Sequence, residues 1–497
     1  MSLKPCTKKK LLRCFAVLLV LGVMGGWFAW NSFFREEAEP PWADQGERFK
    51  YGSIGAEAAR GLPYYIWLVL PRVFPDYLPG PGGYKSFGLV WEEGHEMPVG
   101  FTKRVVGFPR VANNCAICHV GTWRSQEDEV PHAVVAAPAT TVDVQRLLRF
   151  LAKCGQDPRF DATTLLSEID RETKLSCIDR QLYRLLIIPA TRKALQQQDK
   201  QFAWMNRPHW PNWGPGRDDP MNLTKYFMTS MPVDNTIGQA DFPANWNLKT
   251  RKGTNLFLNW SCDTPAVRSV LIDSALGLGA APDGSNPIDS LVWKFSRRAW
   301  FKQRMEDLDN FLSELPPPKY PFPINTNLAY ATGKPLYERH CADCHEPGRP
   351  RTNKPIPLNE IGTDRERMDT WTQAAADQAN DAVKKLGITR PNMVKQEGYQ
   401  SMPLDGLWMR APYLHNGSVP NLRELLEPVD KRSQAFYRGN DLFDPVNVGF
   451  RTNRPAATYS VWLLDTRERG NGNAGHTYGT QLSDEEKAAL VEYMKTL

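Results

Sequence analysis

The sequence has almost no charge imbalance once its first residues are set aside. The formal net charge of the 497 residues is +6, but Lys4, Lys8, Lys9, Lys10 and Arg13 contribute five positive charges before any acidic residue occurs. Without these five charges the net charge is only +1. No basic stretch outside the N-terminus suits a phosphate backbone, and we therefore expect no nucleic-acid partner.

The chain also lacks an internal repeat of domain size and has a single apolar run long enough to span a membrane. This run extends from Cys14 to Trp30 behind the basic stretch Lys8 to Arg13, and its length is close to the roughly 20 residues of a membrane helix. No small-x-small cleavage site follows it. The pattern predicts an uncleaved signal anchor in the inner membrane, with the body of the protein in the periplasm. A cleaved signal peptide is the alternative, and it would also export the body.

The composition of the exported body favours short helices joined by long ordered loops. Hydrophobic residues make up 41% of the chain and the mean hydropathy is −0.47, as expected for a soluble body with a real core. Glycine and proline are both abundant, with 36 and 40 residues. A regular helical bundle would have fewer of both, because these residues interrupt helices.

Two Cys-x-x-Cys-His motifs account for four of the nine cysteines. This motif is the attachment signal of haem c, in which each cysteine forms a thioether and the histidine becomes the proximal iron ligand. A zinc site would require a second ligand pair at zinc-finger spacing, and a thioredoxin-like redox pair would not require the histidine. The sequence therefore predicts two covalently bound haems, held by Cys115, Cys118 and His119 and by Cys341, Cys344 and His345.

The other cysteines of the exported body are Cys154, Cys177 and Cys262. Because the periplasm is oxidising, a disulfide between Cys154 and Cys177 is one interpretation. Buried free thiols are the other, and the sequence does not decide between them.

The sequence divides into segments of different character. The predicted fold class is mainly α with long irregular loops, comprising two cytochrome c-like haem domains and an N-terminal transmembrane helix. The boundary between the haem domains is placed in the run PPPKYPFPIN, which is typical of a stiff connector. The predicted segments are 1–10 (cytoplasmic basic segment), 11–30 (transmembrane signal anchor), 31–48 (polar linker), 49–320 (N-terminal haem domain) and 321–497 (C-terminal cytochrome c domain).

Several helices are predicted from local patterns. Apolar residues at Val144, Leu147, Leu148 and Leu151 share one helix face, with Thr141 as the expected cap. Further helices are predicted within 161–196 and 305–315, and a helix from Leu328 to His340 leads into the second motif. Ser483 and Glu486 form a capping box for a C-terminal helix.

The second axial ligand of each iron decides whether the haem carries electrons or binds a small molecule. Six of the eight histidines lie outside the two motifs. Met402, followed by Pro403, lies where a small cytochrome c carries its distal methionine. From residue types alone, these candidates remain open.

Several segments resemble the di-haem cytochrome c peroxidase superfamily, within it the rubber-oxygenase-like branch of membrane-anchored di-haem c-type cytochromes. The most specific is LDGLWMRAPYLHNGSVPNLRELLEP at 404–428. The others are KYGSIGAE at 50–57, GLPYYIW at 61–67, NNCAICHVGTWR at 113–124, GRDDPMN at 216–222, DFPANWN at 241–247, FDPVNVGF at 443–450 and GNAGHTYGTQLSDEEK at 472–487.

The resemblance implies roles for particular residues. It implies a six-coordinate C-terminal haem whose second ligand is His476, in preference to Met402, and an N-terminal haem with an open distal face. It implies an aromatic residue between the haems, for which Trp260 is the first candidate and Trp246 the second. Arg217 joins Trp260 as a candidate catalytic residue, and His415 is expected to be structural. The resemblance leaves open a calcium ion between the domains.

Two main functions follow as expectations. The first is a di-haem oxidoreductase of peroxidase or oxygenase type, in which the N-terminal iron receives peroxide, dioxygen or a small organic substrate. Its electrons would come from small redox proteins or quinol-linked donors through the C-terminal haem. The alternative is a non-catalytic, membrane-tethered electron-transfer cytochrome c. A diatomic gas sensor is a weaker expectation, because no output domain follows the haem domains.

Overall fold

A computed structural model describes residues 5–253, 256–282, 287–453 and 461–497. The first four residues of the predicted cytoplasmic segment lie outside these ranges. About 47% of the chain is helical, and loops account for much of the rest. The mainly α, loop-rich character predicted from the sequence is therefore confirmed.

Twenty-one α-helices occur in the described ranges. In chain order they are α1 Pro5–Ala29, α2 Gln45–Tyr51, α3 Ala56–Arg60, α4 Tyr64–Val73, α5 Ala116–His119, α6 Val144–Gln156, α7 Ala162–Glu172, α8 Cys177–Leu182, α9 Ile188–Gln201, α10 Pro220–Asn222, α11 Val267–Gly277, α12 Pro287–Val292, α13 Arg298–Glu314, α14 Thr326–Leu328, α15 Lys334–His340, α16 Ala342–His345, α17 Leu358–Ile361, α18 Glu366–Thr370, α19 Gln373–Lys385, α20 Leu422–Leu425 and α21 Asp484–Met494.

The strands are short and all pair in antiparallel fashion. They are β1 Leu62–Pro63, β2 Phe101–Val106, β3 Phe108–Asn113, β4 Val120–Trp123, β5 His132–Val135, β6 Arg217–Asp218, β7 Ala240–Asp241, β8 Pro355–Pro357, β9 Gly398–Gln400, β10 Ala435–Arg438, β11 Phe443–Asp444, β12 Gly449–Phe450 and β13 Trp462–Asp465. The one three-stranded sheet among the described residues has the order β1-β3-β2. The others are two-stranded ribbons that pair β4 with β5, β6 with β7, β8 with β9, β10 with β13 and β11 with β12.

Helix α1 is long and apolar enough to cross a membrane. The span Arg13–Ser32 contains 20 residues, and none of it is buried against the rest of the protein. Its length and position fit a membrane anchor or a signal sequence equally. The segment that follows is attached to the body, since Glu36 forms an ion pair with Arg104 at 3.1 Å and another with Arg297.

The helices predicted from apolar periodicity are present. Helix α6 buries Leu147 and Phe150, and burial of each such side chain contributes about 1.5–3 kcal/mol to folding. Its cap differs from the expected one, because the Asp143 side chain accepts from the backbone N–H of Arg146. The Thr141 hydroxyl instead donates to the carbonyl of Gly88. The capping box of Ser483 and Glu486 at α21 is confirmed.

The largest hydrophobic cluster takes residues from both sides of the predicted domain boundary at 320. It joins Phe49, Trp246 and Leu308 to Trp408 and Leu490. A second cluster packs helices α4, α6, α7 and α9 around Ile117 of the first motif. The domain limits given above stay predictions, and the shared core means that the two parts stabilise each other.

The disulfide considered between Cys154 and Cys177 is not formed, and both thiols are free. Cys154 is fully buried on the core face of α6, whereas Cys177 is exposed at the first residue of α8. The structure therefore agrees with a buried thiol at Cys154. Cys262 is also free and buried.

Candidate haem-binding sites

The first motif follows directly from the β2–β3 hairpin. The Asn114 carboxamide oxygen accepts from the backbone N–H of Ala116, and its Nδ2 donates to the carbonyl of Gly52. Asn114 thus fixes the start of the one-turn helix α5, which ends in His119. The His119 Nδ1 lies 3.0 Å from the carbonyl oxygen of Pro243. A carbonyl only accepts, so Nδ1 carries the proton and Nε2 is left with the lone pair that binds a metal.

The second motif repeats this arrangement with different partners. Helix α15 leads into Cys341, and α16 ends at His345. The His345 Nδ1 donates to the backbone carbonyl of Met402 at 2.7 Å. The Nε2 of His345 is therefore the nitrogen available for a metal, and the two motifs share the same tautomer.

All three residues of the second motif line a cavity of about 340 Å³. Its walls come from α15, α16, β9 and the segment 401–415, with Leu422, Leu425 and Leu426 adding apolar surface. Pockets of this size are typical of small-molecule and cofactor sites. The residues predicted from the sequence that also line it are His476, Met402, Trp260 and His415.

His476 faces His345, and their ring centroids are 6.2 Å apart. Two imidazoles that each bind one metal ion through a nitrogen at about 2.0–2.1 Å are separated by a gap of this order. The Nδ1 of His476 is buried and has no hydrogen-bond partner among the described residues. The two facing imidazoles, both lining the cavity, are a donor set that fits an iron held between His345 and His476.

Burial keeps these imidazoles neutral, the form that binds metals. Burial lowers the pKa of His119 to about 4, although the hydrogen bond to Pro243 acts in the opposite direction. Burial also lowers the pKa of His476 to about 3, helped by the nearby His345 and Arg432. The pKa of His345 is lowered for the same primary reason.

The backbone around His476 is held from two sides. His476 has a φ of +46°, a left-handed conformation that few non-glycine residues adopt. Its N–H donates to the carbonyl of Ile361 at 2.7 Å. Arg432 donates to the carbonyls of Asn473, Gly475 and His476 at 2.6, 2.9 and 3.2 Å. Arg432 was not foreseen from the sequence, where no local pattern connects it to His476.

Met402 lies on the other side of His345. Its carbonyl accepts from Nδ1, and the two ring nitrogens of an imidazole point in different directions, so the Met402 main chain lies away from Nε2. The side chain lines the cavity, but His476 is the residue that faces the His345 ring. This geometry favours His476 as the second ligand.

Trp260 is connected to the surroundings of both motifs. Trp260 lines the cavity of the second motif, and its Nε1 donates to the carbonyl of Asp241 at 2.8 Å. Asp241 is two residues from Pro243, the acceptor of the His119 proton. Trp246, the other aromatic candidate, is fully buried and donates to the carbonyl of Asp405 at 2.9 Å.

The first motif has no paired imidazole in the described ranges, which contain all eight histidines. The ring contact of His119 is with Phe242, at 6.3 Å between centroids. The remaining histidines have other ring partners or none. His415, for example, stacks on Tyr399 with 3.9 Å between the ring centroids. The two motifs therefore differ in their histidine partners.

Arg217, predicted as catalytic, is fully buried and does not line the cavity of the second motif. Its Nη1 donates to Asn471 Oδ1 at 2.8 Å and to the carbonyl of Asn416 at 3.2 Å, and its guanidinium lies 5.1 Å from the Trp462 ring. These contacts join distant parts of the chain. A catalytic role for Arg217 stays a prediction.

The comparisons with known proteins are restricted to parts of the chain. Residues 398–437 match a family described as RoxA-like, cytochrome c-like. The chain is 41% identical over 108 residues to the uncharacterized protein y4iJ of Sinorhizobium fredii (strain NBRC 101917 / NGR234), which covers 20% of this chain and 18% of that protein. It is 31% identical over 233 residues to the uncharacterized protein y4iM of the same strain, covering 38% of this chain and 52% of that protein.

The chain thus matches about half or less of the length of these curated relatives. The matched segment 398–437 contains Met402, whose carbonyl accepts from His345, and Arg432, which holds the His476 backbone. The C-terminal part of the protein carries a RoxA-like, cytochrome c-like segment, and this segment supports haem c as the cofactor of the cavity beside it.

Proposed function

We propose that the protein is a di-haem c-type cytochrome that acts as an oxidoreductase of peroxidase or oxygenase type. The observation that carries the proposal is the difference between the two motifs. In the second motif, His476 lies across a cavity from His345. In the first motif, the ring contact of His119 is with Phe242. A haem with two protein ligands carries electrons, and one with a free position binds peroxide or dioxygen.

The residues of the C-terminal site would keep their haem in a single coordination state. His345 and His476 are each fixed by hydrogen bonds, through Nδ1 in one case and through the backbone in the other. Ligands that do not move between oxidation states favour rapid electron exchange. This site would therefore receive electrons from small redox proteins or quinol-linked donors.

The path between the sites would run through Trp260. The His119 Nδ1–H bonds to the Pro243 carbonyl, and the Trp260 Nε1–H bonds to the Asp241 carbonyl in the same short segment. Two hydrogen bonds and two peptide units thus connect the first motif to an aromatic ring in the wall of the second cavity. This continuity supports the assignment of Trp260 over Trp246 as the residue between the haems.

At the first site, His119 would supply electron density to its iron as the proximal ligand. Its bond to the Pro243 carbonyl fixes the ring and raises the basicity of Nε2. The haem would supply the redox chemistry toward peroxide, dioxygen or a small organic substrate. Helix α1 supports the proposal that the body is tethered to the inner membrane on its periplasmic side.

The first test is an EPR spectrum of the oxidised, detergent-solubilised protein. We expect one high-spin and one low-spin haem in the wild type. His476→Ala should convert the low-spin signal to high spin, because His345 then has no partner across the cavity. Met402→Leu should leave the low-spin signal in place. His132→Ala is the control, since His132 is exposed and pairs with Glu129.

Three results would count against the proposal. A low-spin signal that persists in His476→Ala but not in Met402→Leu would move the second ligand to Met402. Two low-spin haems that stay so on partial reduction would make the protein an electron-transfer cytochrome, the alternative function. An assay with peroxide and a reduced small cytochrome should show turnover above that of free haem, and its absence would exclude the peroxidase reaction.

A further inference from the structure

Two helical segments of the body carry large apolar side chains on their outer face. Segment 177–187 comprises α8 and the turn Tyr183–Ile187, and segment 287–297 comprises α12 and the turn Trp293–Arg297. Five of their apolar side chains are between 53% and 75% exposed, namely Ile178, Leu185, Leu186, Leu291 and Phe295. Their spacings along each segment place them on one helix face. Clustered exposed apolar side chains mark a contact with a membrane or with another protein.

Segment 287–297 lies beside the junction, residues 35 and 36, where the chain that follows α1 joins the body. Arg297, the last residue of the segment, forms an ion pair with Glu36. The exposed ring of Phe295 is therefore only two residues away from a direct contact with the junction.

Segment 177–187 reaches the same junction through the β2–β3 hairpin. The N–H of Gly107, in the turn of that hairpin, donates to the carbonyl of Arg35 at 2.7 Å. The next residue, Phe108, packs against Tyr183 with 6.4 Å between the ring centroids. Both segments with exposed apolar side chains thus lie close to the point where the N-terminal helix is attached.

Only a short stretch of chain separates the junction from the apolar span of α1. The span Arg13–Ser32 carries Trp27 and Trp30 near its end, and both side chains are exposed. Tryptophan is enriched at the membrane–water interface, so we expect these two residues to mark the outer headgroup layer. A chain extends by at most about 3.5 Å per residue, so Arg35 stays within roughly 18 Å of Trp30. Both segments are therefore held close to the bilayer surface.

We propose that segments 177–187 and 287–297 form a membrane-docking surface, whose exposed apolar side chains enter the interfacial layer of the bilayer that α1 crosses. Arg184 and Lys294 are exposed beside these side chains. Their cationic groups suit anionic lipid phosphates, and their aliphatic parts can lie along apolar surface. The proposal rests on α1 as a retained membrane anchor, and it does not depend on the two haems.

The docking surface is too small to hold the body on the membrane without α1. A single acyl chain already gives only marginal and reversible membrane binding, and a few partly inserted side chains bury less apolar area. A tether converts docking into an intramolecular step with an effective concentration in the millimolar range. Helix α1 therefore retains the protein at the membrane, and the docking surface determines which side of the body faces the bilayer.

The test measures how fast single cysteines react with a bulky, uncharged polyethylene-glycol maleimide that cannot enter a bilayer. It uses the full-length, haem-loaded protein at one copy per nanodisc of anionic phospholipid. The cysteines of the N-terminal segment and of α8 are first replaced by serine, namely Cys6, Cys14 and Cys177. Leu185→Cys and Phe295→Cys then each place a thiol on the docking surface. Val446→Cys is the matched control, because Val446 is 76% exposed and lies outside both segments.

Each rate is compared with that of the same cysteine after Leu186→Glu and Leu291→Glu, which place negative charges at two exposed positions of the docking surface. A docked thiol is reached only while the surface is undocked, so Leu185→Cys and Phe295→Cys should react about tenfold faster once the glutamates are present. Val446→Cys should react at the same rate in both backgrounds. An unchanged haem spectrum checks that the glutamates leave the fold intact.

Equal rates with and without the glutamates at both surface cysteines, in a protein that retains residues 1–34, would overturn the docking surface and leave the anchor proposal standing. Slow reaction that appears only with two copies per nanodisc would make this face an interface between copies of the chain, and it would also overturn the inference. Loss of residues 1–34, detected by mass spectrometry, would overturn the anchor proposal and the docking surface together. The mass of the N-terminal segment therefore distinguishes the two failures.

Discussion

Asp218 is a half-buried acidic residue in strand β6, near the first motif. It lies close to Cys118 of that motif. Burial raises the pKa of Asp218 itself to about 7, and the nearby Arg367 opposes this shift only in part. The carboxyl group is thus held near the midpoint of its titration at neutral pH.

This shift predicts a pH-dependent effect of Asp218→Asn. A carboxyl whose pKa is raised in the folded state stabilises the fold below its unfolded pKa of about 4, and this contribution is lost as pH rises through about 7. Asp218→Asn should therefore be as stable as the wild type at pH 4 and more stable at pH 8, by up to about 4 kcal/mol. Urea denaturation at both pH values measures this, and an equal difference at both would contradict it.

Local residue patterns predict the attachment residues but not the groups around them. Cys-x-x-Cys-His predicts the haem attachment residues from five consecutive positions. His476 was predicted from the family resemblance, because residue spacing alone did not identify it as a ligand. Arg432 has no such signal. It donates to the carbonyls of Asn473, Gly475 and His476, which lie at least 41 residues further along the chain, so its role depends on long-range contacts.

At the scale of the elements, Gly333 lies so close to the C-terminal helix α21 that position 333 has no room for a side chain. A Cβ at Gly333 would lie 2.0 Å from the carbonyl oxygen of Ala489 and 2.8 Å from Cβ of Tyr493. This contact holds the turn Ala329–Gly333, and with it α15 and the second motif, against α21. The sequence predicted the first helix from its position before the second motif and the C-terminal helix from its capping box, but their closest point of contact is a property of the packing.

Gly333→Ala should therefore separate these helices and destabilise the protein by about 1–3 kcal/mol, the usual cost of overpacking. Gly277→Ala in α11 is the matched control, because the nearest atom to a Cβ there is Met228 Sδ at 4.0 Å. Alanine favours helix over glycine by about 1 kcal/mol, so the control should be neutral or stabilised. Thermal unfolding compares them, and equal melting temperatures would show that the turn gives way freely.

At the scale of the whole molecule, the sequence does not decide whether helix α1 is a membrane anchor or a signal peptide. Its span makes no buried contact with the body, whereas the segment from Arg35 onward does, as Arg35 accepts from the N–H of Gly107 at 2.7 Å. Replacing residues 1–34 by a cleavable secretion signal should therefore release a folded, soluble periplasmic protein with an unchanged haem spectrum.

The chain with its own N-terminal segment should by contrast stay in the membrane fraction at high salt and keep residues 1–34. Fractionation and mass spectrometry measure both quantities. A natural chain found soluble and shortened after Trp30 would identify α1 as a cleaved signal peptide.

The arrangement of His345, His476 and Arg432 also sets an order of assembly. An exported chain leaves the membrane with its N-terminal side first, so the second motif reaches the periplasm well before His476, which follows His345 by 131 residues. On the proposed ligands, the iron site can be completed only after residue 476 has crossed, because Arg432 fixes residues 473–476 only once they are present. On the proposed ligands, a chain truncated before His476 would hold the haem of the second motif without its second axial ligand.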